Sequence, residues 1–228
     1  MTDAVVSMAA VDDFDLGGNF IAQSSTKTIS QDHGEMLKAN GDIQKYSFVF
    51  NVLTSYSTAY KFNADTGLGA ALPNIGSVEN GYMIDSISIS TSPDNYPEIT
   101  IAGHNHAENA HADDRVEYAI PADIQSILTG AWGVYDFFNK SSATVCATSS
   151  SYTIQMTHVD VECQDGNHFV GNNVSGNEEA SVTYVGNAAT PTTLANGWVV
   201  DSTENGKQNQ EMDSSTITAS RPVALGRV

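Results

Sequence analysis

The stretch MIDSISISTSPDNYPEITIAG, residues 83–103, decides the fold. In its first half Ile87 and Ile89 alternate with Ser86, Ser88 and Ser90; in its second half Ile99 and Ile101 alternate with Glu98 and Thr100. Side chains on a strand point to opposite faces with a period of two, so each half reads as a strand with one apolar and one polar face. Between them TSPDNYP (91–97) gathers proline, aspartate and asparagine, the residues that favour turns, and joins the halves as a hairpin. A sheet with one apolar face has to bury it against another layer.

Strand-like runs recur along the chain. YSFVFNV (46–52) and STAYKF (57–62) precede the hairpin; RVEYAI (115–120), GVYDFF (133–138), YTIQMTHVDVE (152–162), ASVTYVG (180–186), WVVDS (198–202) and STITASRPVA (215–224) follow it. One helix is expected, at 121–129: Pro121 suits the first helical position, Asp123 the first turn, Ile124, Ile127 and Leu128 form a stripe, and Gly130 stops it. A helix this short holds only when packed on a sheet. The reading is a mainly β fold, a two-sheet β-sandwich or partial barrel with one short helix, in one domain spanning 1–228. Residues 1–30 read as an N-terminal arm, 63–81 as a long Gly-rich loop, and 202–215 as a polar, exposed segment. No internal repeat or heptad pattern is present.

Composition narrows the function. Charged residues make up 16% of the 228 residues, against about 25% in an average protein. Ser, Thr, Asn and Gly carry the polar surface instead, which suits strands and turns. The chain has 27 acidic and 9 basic side chains, a formal charge of −18. Nucleic-acid affinity comes largely from cations that displace counterions from phosphates, so tight nucleic-acid binding is not expected, nor is binding to an anionic membrane. The opening residues lack the basic start and apolar core of a Sec signal. No window approaches the length of about 18 apolar residues that spans a bilayer. Cys146 and Cys163 are expected as two buried thiols in a reducing cytosol, with nothing in their spacing to indicate a disulfide. The glycosylation sequons at 139–141 and 173–175 are taken as chance matches.

GHNHAENAHADD (103–114) is the stretch that looks most like chemistry. His104, His106 and His111 lie among Glu108, Asp113 and Asp114. On a strand His104 and His106 share a face, as two metal ligands would. Cupin barrels pair such an H-x-H with a Glu and a later His, and here His168, in HFVGN (168–172), could be that later His. The pattern departs from the cupins elsewhere: position 98 is Glu where they have Gly, positions 110 and 111 are Ala and His where they have Glu, and the Pro-x-Gly before the third His is absent. Polar loop histidines are the simpler account, and no metal or other cofactor is expected. Walker, G-x-S-x-G, C-x-x-C, H-E-x-x-H and EF-hand patterns are all missing. No carboxylate pair stands out as a glycosidase pair.

The chain as a whole resembles the tail tube proteins of tailed bacteriophages and related virion structural proteins. SSTKTISQDHGEMLKANGDIQK (24–45) resembles their opening, with NGD (40–42) as the turn before a strand. THVDVECQDGNHFVGNNVSGNEEASVTYVG (157–186) resembles their paired late strands, and MDSSTITASRPVA (212–224) their closing strand. The resemblance implies a non-enzymatic subunit, made in the host cytoplasm and placed in the virion tail. Copies would form rings, usually hexameric, that stack into a tube beside other tail proteins. The 1–30 and 63–81 segments would bridge successive rings, and DNA would pass without tight binding. Asp160, Glu162, Glu178 and Glu179 would then be lumen-facing, repelling phosphates. The alternative is a metal-dependent, cupin-like enzyme or binding barrel on His104, His106 and His168. A cell-surface adhesin is disfavoured by the missing signal.

Overall fold

The structure is a computed structural model that describes residues 4–8, 12, 14–37, 43–63, 67–106, 117–128, 133–162, 168–186, 194–206 and 213–223. Among the described residues ten strands and two short helices follow in chain order: β1 (Ala4–Met8), β2 (Phe20–Leu37), β3 (Ile43–Phe62), α1 (Leu68–Ala71), β4 (Val78–Glu79), β5 (Tyr82–Thr91), β6 (Glu98–His106), α2 (Ala122–Ile127), β7 (Val145–Glu162), β8 (His168–Gly186), β9 (Val199–Gly206) and β10 (Ser214–Pro222). All pairings are antiparallel, and one sheet runs β1-β2-β3-β6-β5-β7-β8-β10-β9, with the short β4 on β5. The fold is mainly β, and among the described residues the sheet does not close on itself.

The 83–103 hairpin forms the middle of this sheet. Ile99 pairs with Ile89 and Tyr60, and Ile101 with Ile87 and Thr58, so the apolar set of each strand falls in one row. Tyr152 and Ile154 of β7 continue those rows, followed by Ala180 of β8 and Ala219 of β10. All of these side chains are buried. Thr100, Ser88, Thr153, Glu179 and Ser220 alternate with them on the second face, which is paved mainly with small polar groups. Ser88 and Thr153 hydrogen-bond there at 3.0 Å, and Thr183 and Thr216 at 3.0 Å.

The layer that covers the apolar face is built of helices and loops, where the sequence pattern suggests a second sheet. Leu68, Leu72 and Ile75 from 63–81 join Ile120, Ile124 and Leu128 around α2, and Tyr135, Phe137 and Phe138, in the same buried cluster as the sheet. Gly69 lies so close to α2 that a Cβ there would sit 2.8 Å from Gln125 Cα. Residues 67–81 of the expected loop are thus a packed part of the core; 64–66 lie outside the described residues. GVYDFF (133–138) supplies core side chains from turn and loop backbone, because its three buried residues sit at 135, 137 and 138 and cannot share one strand face. Of RVEYAI, Tyr118 makes an isolated bridge to Ile75, and residues before 117 lie outside the described ones. The helix is shorter than expected, with Pro121 capping it at one end and Leu128 at the other.

The expected arm is corrected most. Residues 4–8 and 20–30 are strands of the sheet, and Phe14 between them is fully buried. The Tyr60 hydroxyl donates to Asp12 Oδ1 at 2.7 Å, tying this segment to the core. Serine and threonine dominate SSTKTIS (24–30), and their β-branched or small side chains suit a strand whose faces are both only partly covered.

Candidate functional site at the open end of the sheet

Strand lengths are unequal, and the difference falls at one end. β3 pairs with β6 from Lys61↔Glu98 to Leu53↔His106, so its residues 43–52 run past β6 with β2 as their partner. β7 pairs with β5 from Thr91↔Ser150 to Ser86↔Gln155; its residues 156–162 pair with β8 alone, and the last of them run past the start of β5 at Tyr82. Met83 of β5 pairs with His104 of β6, which places both overhangs at the same end. Among the described residues two antiparallel ribbons therefore project there, β2–β3 by about 30 Å past β6 and β7–β8 by about 10 Å past β5, at some 3.3 Å per residue. Two strand positions, those of β6 and β5, separate them.

A cavity of about 350 Å³ lies where the ribbons leave the sheet, lined by Leu53, Ser55, Asp85, His104, Met156 and His158. His104 Nδ1 meets both Asp85 carboxylate oxygens, at 2.8 and 2.7 Å. The His158 ring centre is 4.6 Å from that of His104. His104 is buried, whereas the Asp85 side chain is 29% exposed. Asp85 reaches the ring because the β5–β6 register shifts between Ile84 and Ser86, a bulge that re-aims the extra residue.

Of the histidines that the sequence singles out, His104 and His106 share β6 and His168 opens β8. His168 pairs with Glu162, while Met83, the partner of His104, pairs on its other edge with Val78 of β4, and the ring beside His104 is that of His158 on β7. The sheet order puts β5 and β7 between β6 and β8, so the backbone does not gather the three. Residues 107–116, with His111, Glu108, Asp113 and Asp114, lie outside the described residues, as do the side chains of His106 and His168. Asp85 and His158 were not singled out from the sequence. Asp85 did leave a trace: Ile84 and Ile87 stand three apart in a stretch that otherwise alternates by two.

The four carboxylates expected at a lumen divide. Glu178 is corrected: it faces the apolar layer with its side chain only 1% exposed, because it sits opposite Ile154 in the core row. Arg221, its cross-strand partner on β10, donates to Glu178 Oε2 through Nη2 at 2.8 Å and through Nε at 2.9 Å. The same guanidinium donates to both Asp123 oxygens on α2, at 2.8 and 3.2 Å, and to Asn196 O at 2.9 Å. It also stacks 4.5 Å from the centre of the Trp198 ring. The Tyr152 hydroxyl donates to Glu178 Oε2 at 3.2 Å and the Tyr118 hydroxyl to Oε1 at 3.5 Å. Burial pushes the Glu178 carboxyl above the usual range, against the pull of Arg221. Glu179 points the other way and is exposed, beside Thr153, Gln155 and Asn177. Asp160 and Glu162 lie on the projecting part of β7, with side chains outside the described residues.

Carboxylates also serve the core elsewhere. Buried Tyr184 donates its hydroxyl to Asp136, which in turn accepts from the Ser141 backbone N–H at 2.7 Å. The expected buried thiols are corrected for Cys146, which is exposed; Cys163 lies outside the described residues. Among the described residues no helix is long and apolar enough to cross a membrane. The chain matches no protein-family model and no curated protein sequence.

Proposed function

We propose that the protein is a non-enzymatic virion structural protein, a tail tube subunit of a tailed phage. Copies assemble in rings, hexameric on the strength of the resemblance, and the rings stack beside other tail proteins. The observation that carries this reading is the pair of ribbons projecting from one end of an open sheet. Strand edges left without partners template pairing with another chain, so monomeric proteins shorten or block them. Here, among the described residues, the ribbon strands extend beyond their neighbours with no third strand beside them, and pairing them around a closed ring would satisfy their backbone groups. The charge of −18 fits a conduit for DNA, because carboxylates such as exposed Glu179 repel phosphates and offer no counterion-releasing contact.

The test is assembly of the untagged protein, followed by light scattering and negative-stain electron microscopy across a range of concentrations and salt. Rings or tubes with a central channel are expected. A protein that stays monomeric throughout, and does not elongate tubes when mixed with tail initiators, would overturn the reading.

A further inference from the structure

We propose that the cavity at the root of the ribbons binds a late first-row divalent metal ion through His104 and His158, with Asp85 as the orienting carboxylate. Three observations carry this. First, the Asp85 carboxylate holds His104 by Nδ1, which fixes the ring and its tautomer. A carboxylate on the far nitrogen is how metal-binding histidines are commonly oriented, and Nε2, on the other edge of the ring, is then the atom a metal takes. Second, the two rings have the right spacing. With metal–nitrogen bonds of about 2.1 Å, two imidazoles on one tetrahedral or square ion have ring centres about 4.5–5.2 Å apart. The observed separation is 4.6 Å, with the rings inclined at 59°. Third, the cavity of about 350 Å³ gives the ion room for water ligands, and the Met156 thioether on its wall suits a soft or borderline ion.

Imidazole favours zinc, copper and nickel over magnesium and calcium, whose sites are built from oxygen. Among the described residues no group of three His, Cys, Asp or Glu side chains converges on one point, so the protein supplies two ligands and water the rest. Such a site is of moderate affinity. It joins β6 to β7, the two strands at the roots of the gap between the ribbons, and would fix the angle at which the β7–β8 ribbon leaves the sheet. This inference concerns the isolated chain and stands or falls apart from ring assembly.

The experiment is titration of the untagged full chain with zinc by calorimetry, repeated with copper and read by electron paramagnetic resonance. One ion per chain and nitrogen hyperfine coupling from two imidazoles are expected. His158→Gln and His104→Gln should each abolish binding. Asp85→Asn should weaken it about tenfold or more, as loss of an orienting partner does. A His111→Gln/His168→Gln double variant should bind as the original does, and circular dichroism checks that every variant folds. No binding by the folded original chain would overturn the proposal. So would binding that survives His158→Gln or that is lost in the His111/His168 variant.

Discussion

A single residue, Arg221, holds four parts of the molecule together. Its guanidinium satisfies Glu178 on β8, Asp123 on α2 and the carbonyl of Asn196, and covers Trp198. Arg221 is the cation fixed beside the buried Glu178 carboxyl, and removing one member of a buried pair leaves the other uncompensated. Arg221→Met should therefore destabilise the chain by about 3 kcal/mol or more, with the Glu178→Gln/Arg221→Met double variant recovering part of the loss. Urea unfolding of the three proteins measures this; equal midpoints for the original and Arg221→Met would refute it. The same carboxylates set the acid response. Burial opposes the charge of Asp123 and of Asp136, but Arg221 outweighs it at Asp123, and the Tyr184 hydroxyl with the Ser141 backbone N–H outweighs it at Asp136; both end below the usual range. A lowered carboxylate takes up its proton more readily in the unfolded chain. Each thus adds stability that is present above about pH 4 and lost as pH falls through its folded value. Glu178, raised by burial, has the opposite sign: it favours the folded state below its unfolded value, and that gain is lost as pH rises through its folded value. Between pH 6 and 3 Asp136→Asn should flatten the loss of stability and Glu178→Gln should steepen it. Slopes indistinguishable from the original in both variants would remove these groups from the acid response.

The elements that cover the sheet are short, and their contact is tight. α1 and α2 meet at Gly69, where an added Cβ would lie 2.8 Å from Gln125 Cα and 2.9 Å from Gln125 O, both backbone atoms that cannot swing aside. Gly69→Ala should push α1 off α2 and cost about 1–3 kcal/mol, the usual range for overpacking. Thermal unfolding checks it, with exposed Ala70→Ser on the same turn as the control; equal losses in the two would show that the helices have slack. This layer is where the sequence was least legible. The strands at 83–103 could be read because alternation is local: Ile87, Ile89, Ile99 and Ile101 declare a face without reference to anything distant. The short helix was legible for the same reason. Leu68, Leu72 and Ile75 carry no such period, since their burial follows from distant neighbours such as Ile124, so 63–81 read as an open loop. The serine- and threonine-rich 24–30 read as an arm because a strand with two weakly apolar faces has little hydrophobic pattern to show. At the candidate site His104 was visible as part of a histidine cluster. Its partners Asp85 and His158 come from a bulge and from strand register, and only the broken spacing between Ile84 and Ile87 hinted at the first. Glu178 was misread because neither its alternation with Ala180 and Val182 nor its distant partner Arg221 was weighed.

At the scale of the whole molecule, the described part of the sheet ends in the edge strand β9. β9 (Val199–Gly206) is exposed along nearly all its length, with Val199 61% exposed, and its sequence VVDSTENG contains no lysine or proline. Lysine, proline and bulges are the devices by which soluble sheets keep such an edge from pairing with a second chain. β9 carries one bulge, at Asp201, but neither lysine nor proline, and it lies opposite the short β1 at the other margin; a head-to-tail ring of copies needs such a pair, one margin offered and another to receive it. The edge can be blocked without touching the core, because Ser202 and Asn205 are both exposed. A Ser202→Lys/Asn205→Lys variant should keep monomer stability within about 0.5 kcal/mol, as surface substitutions away from packed features do. It should form neither rings nor tubes under conditions in which the original chain assembles. Two added lysines also reduce the net repulsion between copies of a chain carrying a formal charge of −18, so electrostatics alone would favour assembly of the variant. Loss of rings with stability intact would thus be attributable to the edge itself. If the variant assembles as readily as the original, β9 is not the strand that joins neighbours, and any ring must close through the projecting ribbons alone.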